Sequence, residues 1–263
     1  MDAPLIAVMW LFLFAKTWRV NYHPWEAYVV LALVVWTIRI FAKLLEASML
    51  GDEEALAMRH RTLLKRLAIG GGVLALVLTV LNFPLSVYNY LLLGGILVLG
   101  YLALALFSSP QDNEISYAKH VIGGVAFAYG TALIAHVYLP NLGIIELFKS
   151  REFICFAVLC LLASSATDLW AHSGKVEDRE IKAADELALT LPLTLLGAAA
   201  LVFAVQNEAM TSRPFFYGIL TGAALLQVLN RTRGRFPILT LKVLTGVCLM
   251  IPGVVFQTYP IGR

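Results

Sequence analysis

The sequence predicts an all-α membrane bundle of about nine transmembrane helices, forming a single domain over residues 1–263. Three observations carry this expectation. First, 60% of the residues are hydrophobic and 14% charged, against about 45–50% and about 25% in soluble domains, which leaves too little polar surface to coat a water-soluble globule. Mean hydropathy is correspondingly high, at +0.79. Second, the apolar residues fall in continuous runs close to the roughly 17–25 residues that cross a bilayer core as a helix, without the period-two alternation of a barrel strand. Third, turn chemistry separates the runs, as at Asn82-Phe83-Pro84, Ser109-Pro110 and Tyr138-Leu139-Pro140.

The first run, 3–18, is the weakest because Lys16 interrupts it; it is expected to tilt little or to lie partly at the interface. Met1-Asp2-Ala3-Pro4 supplies neither a basic leader nor a small-residue cleavage site, so this run is expected to stay in the membrane. Trp18, Tyr22 and Trp25 make an aromatic edge before the second run, 25–45. Runs 67–83 and 85–107 form a hairpin around Pro84, and 115–138 and 152–170 follow. The last three are 187–205, 214–230 and 237–258.

Nine spans put the termini on opposite sides. With the N-terminus cytoplasmic, 13 of the 20 basic residues fall inside, 6 outside, and Lys242 within the last span. The positive-inside rule therefore orients the N-terminus in and the C-terminus out. A net charge of +3 is too small to suggest nucleic acid as a partner. Cys155, Cys160 and Cys248 sit inside apolar runs at spacings unlike a metal knuckle, and read as buried, inert thiols. Gly218-x-x-x-Gly222, Gly70-Gly71-Gly72 and Gly94-Gly95 read as close helix contacts, and His136 as an interfacial residue. There is no P-loop, Ser-His-Asp grouping, Cys-x-x-Cys or His-Glu-x-x-His.

Two charged loops are expected on the cytoplasmic side. One follows the second span and carries Lys43, Glu46, Asp52, Glu53, Glu54, Arg59, Arg61, Lys65 and Arg66. The other follows the sixth and carries Asp168, His172, Lys175, Glu177, Asp178, Arg179, Lys182, Asp185 and Glu186. Such loops suit either of two roles. Carboxylates can hold Mg²⁺ that bridges diphosphate oxygens while the helices receive an apolar tail, or the loops are solvated connectors whose bases face anionic lipid.

Particular residues carry a resemblance. Residues 35–47, VWTIRIFAKLLEA, resemble the VWxIYxADRLLDA pattern of bacterial members of the UbiA superfamily of intramembrane prenyltransferases. Arg59-His60-Arg61 is similar to the RHR that follows it there, and residues 119–130, KHVIGGVAFAYG, to that family's K-x-x-x-G-x-x-F-A-x-G stretch. Thr190-Leu191-Pro192 resembles the TLP after the second aspartate motif. The resemblance implies a bacterial inner-membrane prenyltransferase acting on an isoprenoid diphosphate in contact with membrane lipid. It implies Asp168 and Glu46 as catalytic and Mg²⁺-binding residues, with Asp178 as a further metal ligand. It also implies Arg39, Lys43, Arg59, Lys119, His172 and Lys242 as substrate contacts.

This chain departs from the pattern where metal would bind. Ala42 and Glu46 stand at the aspartates of the first motif, Phe41 replaces a common Asn, and His172 replaces the second acid of D-x-x-x-D. Imidazole is a poor ligand for Mg²⁺, which takes hard oxygens. Two readings follow: one metal survives on Asp168 and Glu46 with cations binding phosphate directly, or the fold persists as a non-catalytic subunit. Such a subunit would bind lipid, pigment or quinone among protein partners in a membrane complex. Arg39, Lys43 and Glu46 share one helical face, with function and snorkelling to the interface as alternatives for Arg39. Lys242 is expected either to pair with an acid or to contact a polar head. A transporter is a third reading, from the midspan charges Arg39 and Lys242, without a matched pair of broken helices to support it.

Overall fold

The structure, a computed structural model, describes residues 2–20, 24–50, 60–107, 117–139, 143–175, 178–206 and 212–258, with side chains at 2, 46–50, 105, 107, 175 and 179 outside the description. Ten α-helices and one 3₁₀ turn account for nearly all of them, and no strand occurs among the described residues. They are α1 (Asp2–Thr17), α2 (Glu26–Leu50), α3 (Arg61–Asn82), α4 (Val87–Phe107), α5 (Tyr117–Val137), α6 (Ile144–Lys149), α7 (Arg151–Lys175), α8 (Arg179–Gln206), α9 (Arg213–Thr232) and α10 (Ile238–Thr258). Seven of these, α2 to α5, α7, α8 and α10, are long and apolar enough to cross a membrane. This is an integral membrane protein.

Each of the nine expected spans is a helix, and the Asn82-Phe83-Pro84 and Tyr138 breaks fall where the helices end. Two of these nine, α1 and α9, fall outside the seven. α1 has 16 residues, about 24 Å at 1.5 Å per residue, short of an apolar core about 30 Å thick. α9 carries Gln227 and Asn230 and lies buried along Phe215, Ile219, Ala223 and Leu226. The short α6 was not expected from the sequence.

The second expected loop is largely helix. α7 continues to Lys175 and α8 starts at Arg179, so Asp168, His172, Asp185 and Glu186 all lie on helices. Likewise α2 continues past Lys43 and Glu46 to Leu50, and Arg61, Lys65 and Arg66 open α3; residues 51–59, with Asp52, Glu53, Glu54 and Arg59, lie outside the described residues. The reason is physical. Hydropathy marks where a chain leaves hydrocarbon, whereas Ala, Leu, Lys and Glu sustain a helix well beyond that boundary.

α1, expected to be marginal, packs in the middle of the bundle against α2, α5 and α10. Trp10 is fully buried, stacks on Phe156 of α7 at 4.3 Å between ring centroids, and meets Phe215 of α9 edge-on at 5.4 Å. Its indole N–H donates to the carbonyl of Leu249, 2.9 Å away. Pro252 of α10 has no N–H to offer the carbonyl of Cys248, so the Trp10 donor meets the helix one residue beyond the carbonyl that proline leaves without its usual partner. Lys16 stays outside this core, exposed with Nζ over the Phe12 ring.

The expected glycine contacts hold at Gly71, Gly94, Gly218 and Gly222, whereas an added Cβ at Gly70 or Gly95 would meet nothing within 4 Å. A Cβ on Gly124 of α5 would come within 2.7 Å of the Leu161 backbone of α7. Gly218 and Gly222 lie against Pro252, and Gly71 of α3 lies against Trp36 and Thr37 of α2. The three cysteines are free and buried.

Candidate functional site

The start of α5 meets the end of α7, which in turn meets the start of α8 and the end of α9, and this end of the bundle is polar. At the other end, Trp18 just beyond α1 lies edge-on to His136 near the end of α5, at 5.8 Å. His136 is buried there, with Nδ1 3.1 Å from the Tyr90 hydroxyl, so it belongs to interior packing and not to the interface.

Asp168 is the centre of the polar end. Its Oδ2 lies 3.0 Å from Nε2 of His120 on α5; the imidazole is buried, at 8% exposure, while the carboxylate is half open, at 51%. Lys119 of α5 and Lys242 of α10 both lie within electrostatic reach of the same carboxylate. Lys119 is half-buried and Lys242 exposed. Three helices thus bring two lysines and a histidine around one acid. Among the described residues the charges acting on Asp168 are those of Lys119, Lys242 and His120, a setting that favours an anion.

His172 stands four residues after Asp168 but faces a different partner. Its Nδ1 lies 3.0 Å from Oδ2 of Asp185 on α8. Beside it, the Trp170 indole N–H donates to Oδ1 of Asn230 at 2.8 Å, and Asn230 Nδ2 donates to the Thr190 hydroxyl at 3.1 Å and the Glu186 carbonyl at 3.3 Å. Arg233 completes the group, donating to Asn230 Oδ1 and to the Lys182 carbonyl. Asn230 is 1% exposed, so this network fastens α7, α8 and α9 together. Thr190, singled out in the sequence for its Thr-Leu-Pro context, takes part as an acceptor.

The other expected site residues divide as follows. Asp178 is exposed, and its Oδ1 accepts the Glu180 backbone N–H at 2.9 Å, capping the start of α8. Arg39 and Lys43 are exposed on α2 and are not among the charges acting on Asp168. Glu46 lies on α2 with its side chain outside the description, and Arg59 lies outside the described residues.

A magnesium ion needs several hard oxygen ligands. Among the described residues no three His, Cys, Asp or Glu side chains converge, and the open Asp168 carboxylate has lysines for neighbours. The described donors alone do not compose a Mg²⁺ site.

Sequence reasoning did not single out His120 or Asn230, and it left Asp185 as one charge of the second loop without a partner assigned. His120 carried its own signal, an ionisable side chain inside an apolar run, which in a membrane is expensive and faces the bundle interior. Asn230 sat unremarked at a span end. Comparison with family models, curated proteins and solved structures finds no match to this chain.

Proposed function

We propose that this chain is a UbiA-like intramembrane prenyltransferase that receives an isoprenoid diphosphate at its polar end. One observation carries the reading: Lys119, His120 and Lys242 surround the half-open Asp168 at the end of an otherwise apolar bundle. Lys119 and Lys242 attract the diphosphate, and the prenyl tail lies among the helices. As the bond from C1 to oxygen breaks, the diphosphate leaves with the electron pair, and the lysines stabilise its growing charge. The acceptor bonds to C1 and its proton passes to Asp168, which His120 holds in place. Any Mg²⁺ requirement would rest on Glu46 and on Asp52, Glu53 and Glu54.

In this reading nine helices cross a bacterial inner membrane, the polar end is cytoplasmic, the N-terminus is inside and the C-terminus outside. The test uses the purified chain with C10 to C20 prenyl diphosphates. Lys119→Gln and Lys242→Gln weaken diphosphate binding, and Asp168→Asn lowers turnover by on the order of 10²-fold. Absence of binding to every such diphosphate, or full activity in Asp168→Ala, overturns the proposal.

A second reading is favoured by one observation: the described donors assemble no metal cluster, and Asp168 is engaged by His120. The fold would then serve as a non-catalytic subunit that binds lipid, pigment or quinone. It predicts binding without turnover and co-purification with partner chains in fixed ratio.

A further inference from the structure

A groove of about 450 Å³ runs between α1 and α2, walled by Pro4 and Val8 on one side and by Tyr28, Ala32, Leu33 and Trp36 on the other. Its wall is apolar throughout, and it opens to the outside of the bundle. The volume would hold about fifteen waters at about 30 Å³ each, but a water needs two to four polar partners and the wall has none to give. Hydrocarbon is the chemistry that fits.

The groove has a charged continuation. Ala32, Trp36, Arg39 and Lys43 follow one another at i, i+4, i+7 and i+11, a single stripe along a helix. Arg39 and Lys43 are both exposed on that stripe, about 5 Å and 10 Å beyond Trp36 at 1.5 Å per residue. Both lie toward the polar end of the bundle, since α1 and α2 are joined at the opposite end, where Trp18 meets His136. An apolar trough that leads along one helix face to two cations matches a molecule with a hydrocarbon chain and an anionic head. A partner helix would need an acid set against these cations in addition to an apolar face. A membrane phospholipid carries phosphate and chain on one molecule.

We propose that the α1–α2 groove and the exposed cations Arg39 and Lys43 form a binding site for an anionic phospholipid. One acyl chain lies in the groove between Pro4 and Trp36, and the phosphate sits between the guanidinium and the ammonium. A zwitterionic lipid fills the groove equally well but gains less at the cations, because its own ammonium offsets its phosphate. The site stands apart from Asp168, so neither this proposal nor the prenyl-transfer reading depends on the other.

Trp36 in the groove wall provides the readout. The full chain is placed in phosphatidylcholine nanodiscs containing increasing amounts of dibromo-acyl phosphatidylglycerol, or of dibromo-acyl phosphatidylcholine as the reference. Tryptophan quenching is recorded, and Trp36→Phe isolates the share owed to Trp36. Each basic residue near a membrane surface contributes about 1 kcal/mol toward anionic lipid. The anionic lipid therefore reaches half-quenching of Trp36 at a mole fraction about fivefold lower or more. Raising salt to about 1 M, where the screening length is about 3 Å, narrows that gap. In the double variant Arg39→Gln, Lys43→Gln the preference is lost while the phosphatidylcholine curve stays unchanged. Coincident curves for the two lipids in the unmodified chain overturn the proposal, as does a preference indifferent to both salt and the double variant. Absence of quenching by either lipid overturns it too, because the groove is then covered by protein. So does displacement of the brominated anionic lipid by a prenyl diphosphate at matched concentration, which would assign the groove to the substrate. The unmodified chain and its salt series decide the matter even if the double variant does not fold.

Discussion

Replacing Gly124 by alanine tests how the candidate site is held. The new Cβ would lie 2.7 Å from both the Cα and the backbone N of Leu161, and 3.0 Å from its Cβ. Ordinary carbon contacts are about 3.5–4.0 Å, so α5 and α7 must separate by about 1 Å, because backbone cannot turn aside as a flexible side chain can. Overpacking of this kind costs about 1–3 kcal/mol. Gly130 on the same helix has nothing within 4 Å of its added Cβ, so Gly130→Ala gains about 0.5–1 kcal/mol from helix propensity alone. Identical chemistry on one helix should therefore move stability in opposite directions. His120 precedes Gly124 by one turn and Asp168 follows Leu161 by two, so the same separation stretches their 3.0 Å pair toward the about 4 Å limit of a close ion pair. The assay is denaturation in mixed micelles, followed with a thiol-reactive dye that reports exposure of Cys155, Cys160 and Cys248. A Gly124→Ala protein as stable as Gly130→Ala would refute the close α5–α7 approach and the argument built on it.

Two further outcomes are expected. A double-mutant cycle on His120→Gln and Asp168→Asn should give a coupling of about 0.2–1 kcal/mol, since one partner is buried and the other half open; zero coupling would remove the pair from the site. Asn230→Leu should destabilise by about 1–3 kcal/mol, because the buried Trp170 indole N–H loses its acceptor, and adding Trp170→Phe should recover part of that loss. Unchanged stability in Asn230→Leu would show that the α7–α8–α9 network is not a fastening.

The candidate site was legible only in part. Asp168, Lys119 and Lys242 were all named from the sequence, and the structure brings them together. Asp168 and His172 were also placed correctly on one helix, one turn apart, yet they serve different partners, His120 and Asp185. Spacing along a helix says which side chains share a face, but the occupant of the space opposite comes from another helix at any sequence distance. Arg39 and Lys43, which the resemblance groups with the diphosphate site, are exposed on α2 in line with Ala32 and Trp36.

Composition and run length by themselves determined that this chain is helical and membrane-embedded, because a bilayer demands backbone hydrogen bonds closed within each segment and about 20 apolar residues per crossing. They could not rank the helices. α1 is the shortest of the apolar runs and carries the lysine that made it look marginal, yet Trp10 and Phe14 place it at the centre. α3 and α4 are longer and qualify by length and hydropathy as membrane spans, yet they form the outer wall, with Leu76, Leu81 and Leu92 exposed. Lipid and protein interior are equally apolar, so hydropathy does not distinguish them. What separates them is shape: the stacked rings of Trp10 and Phe156, and the bare backbone of Gly124 against Leu161, exist only once the helices have met.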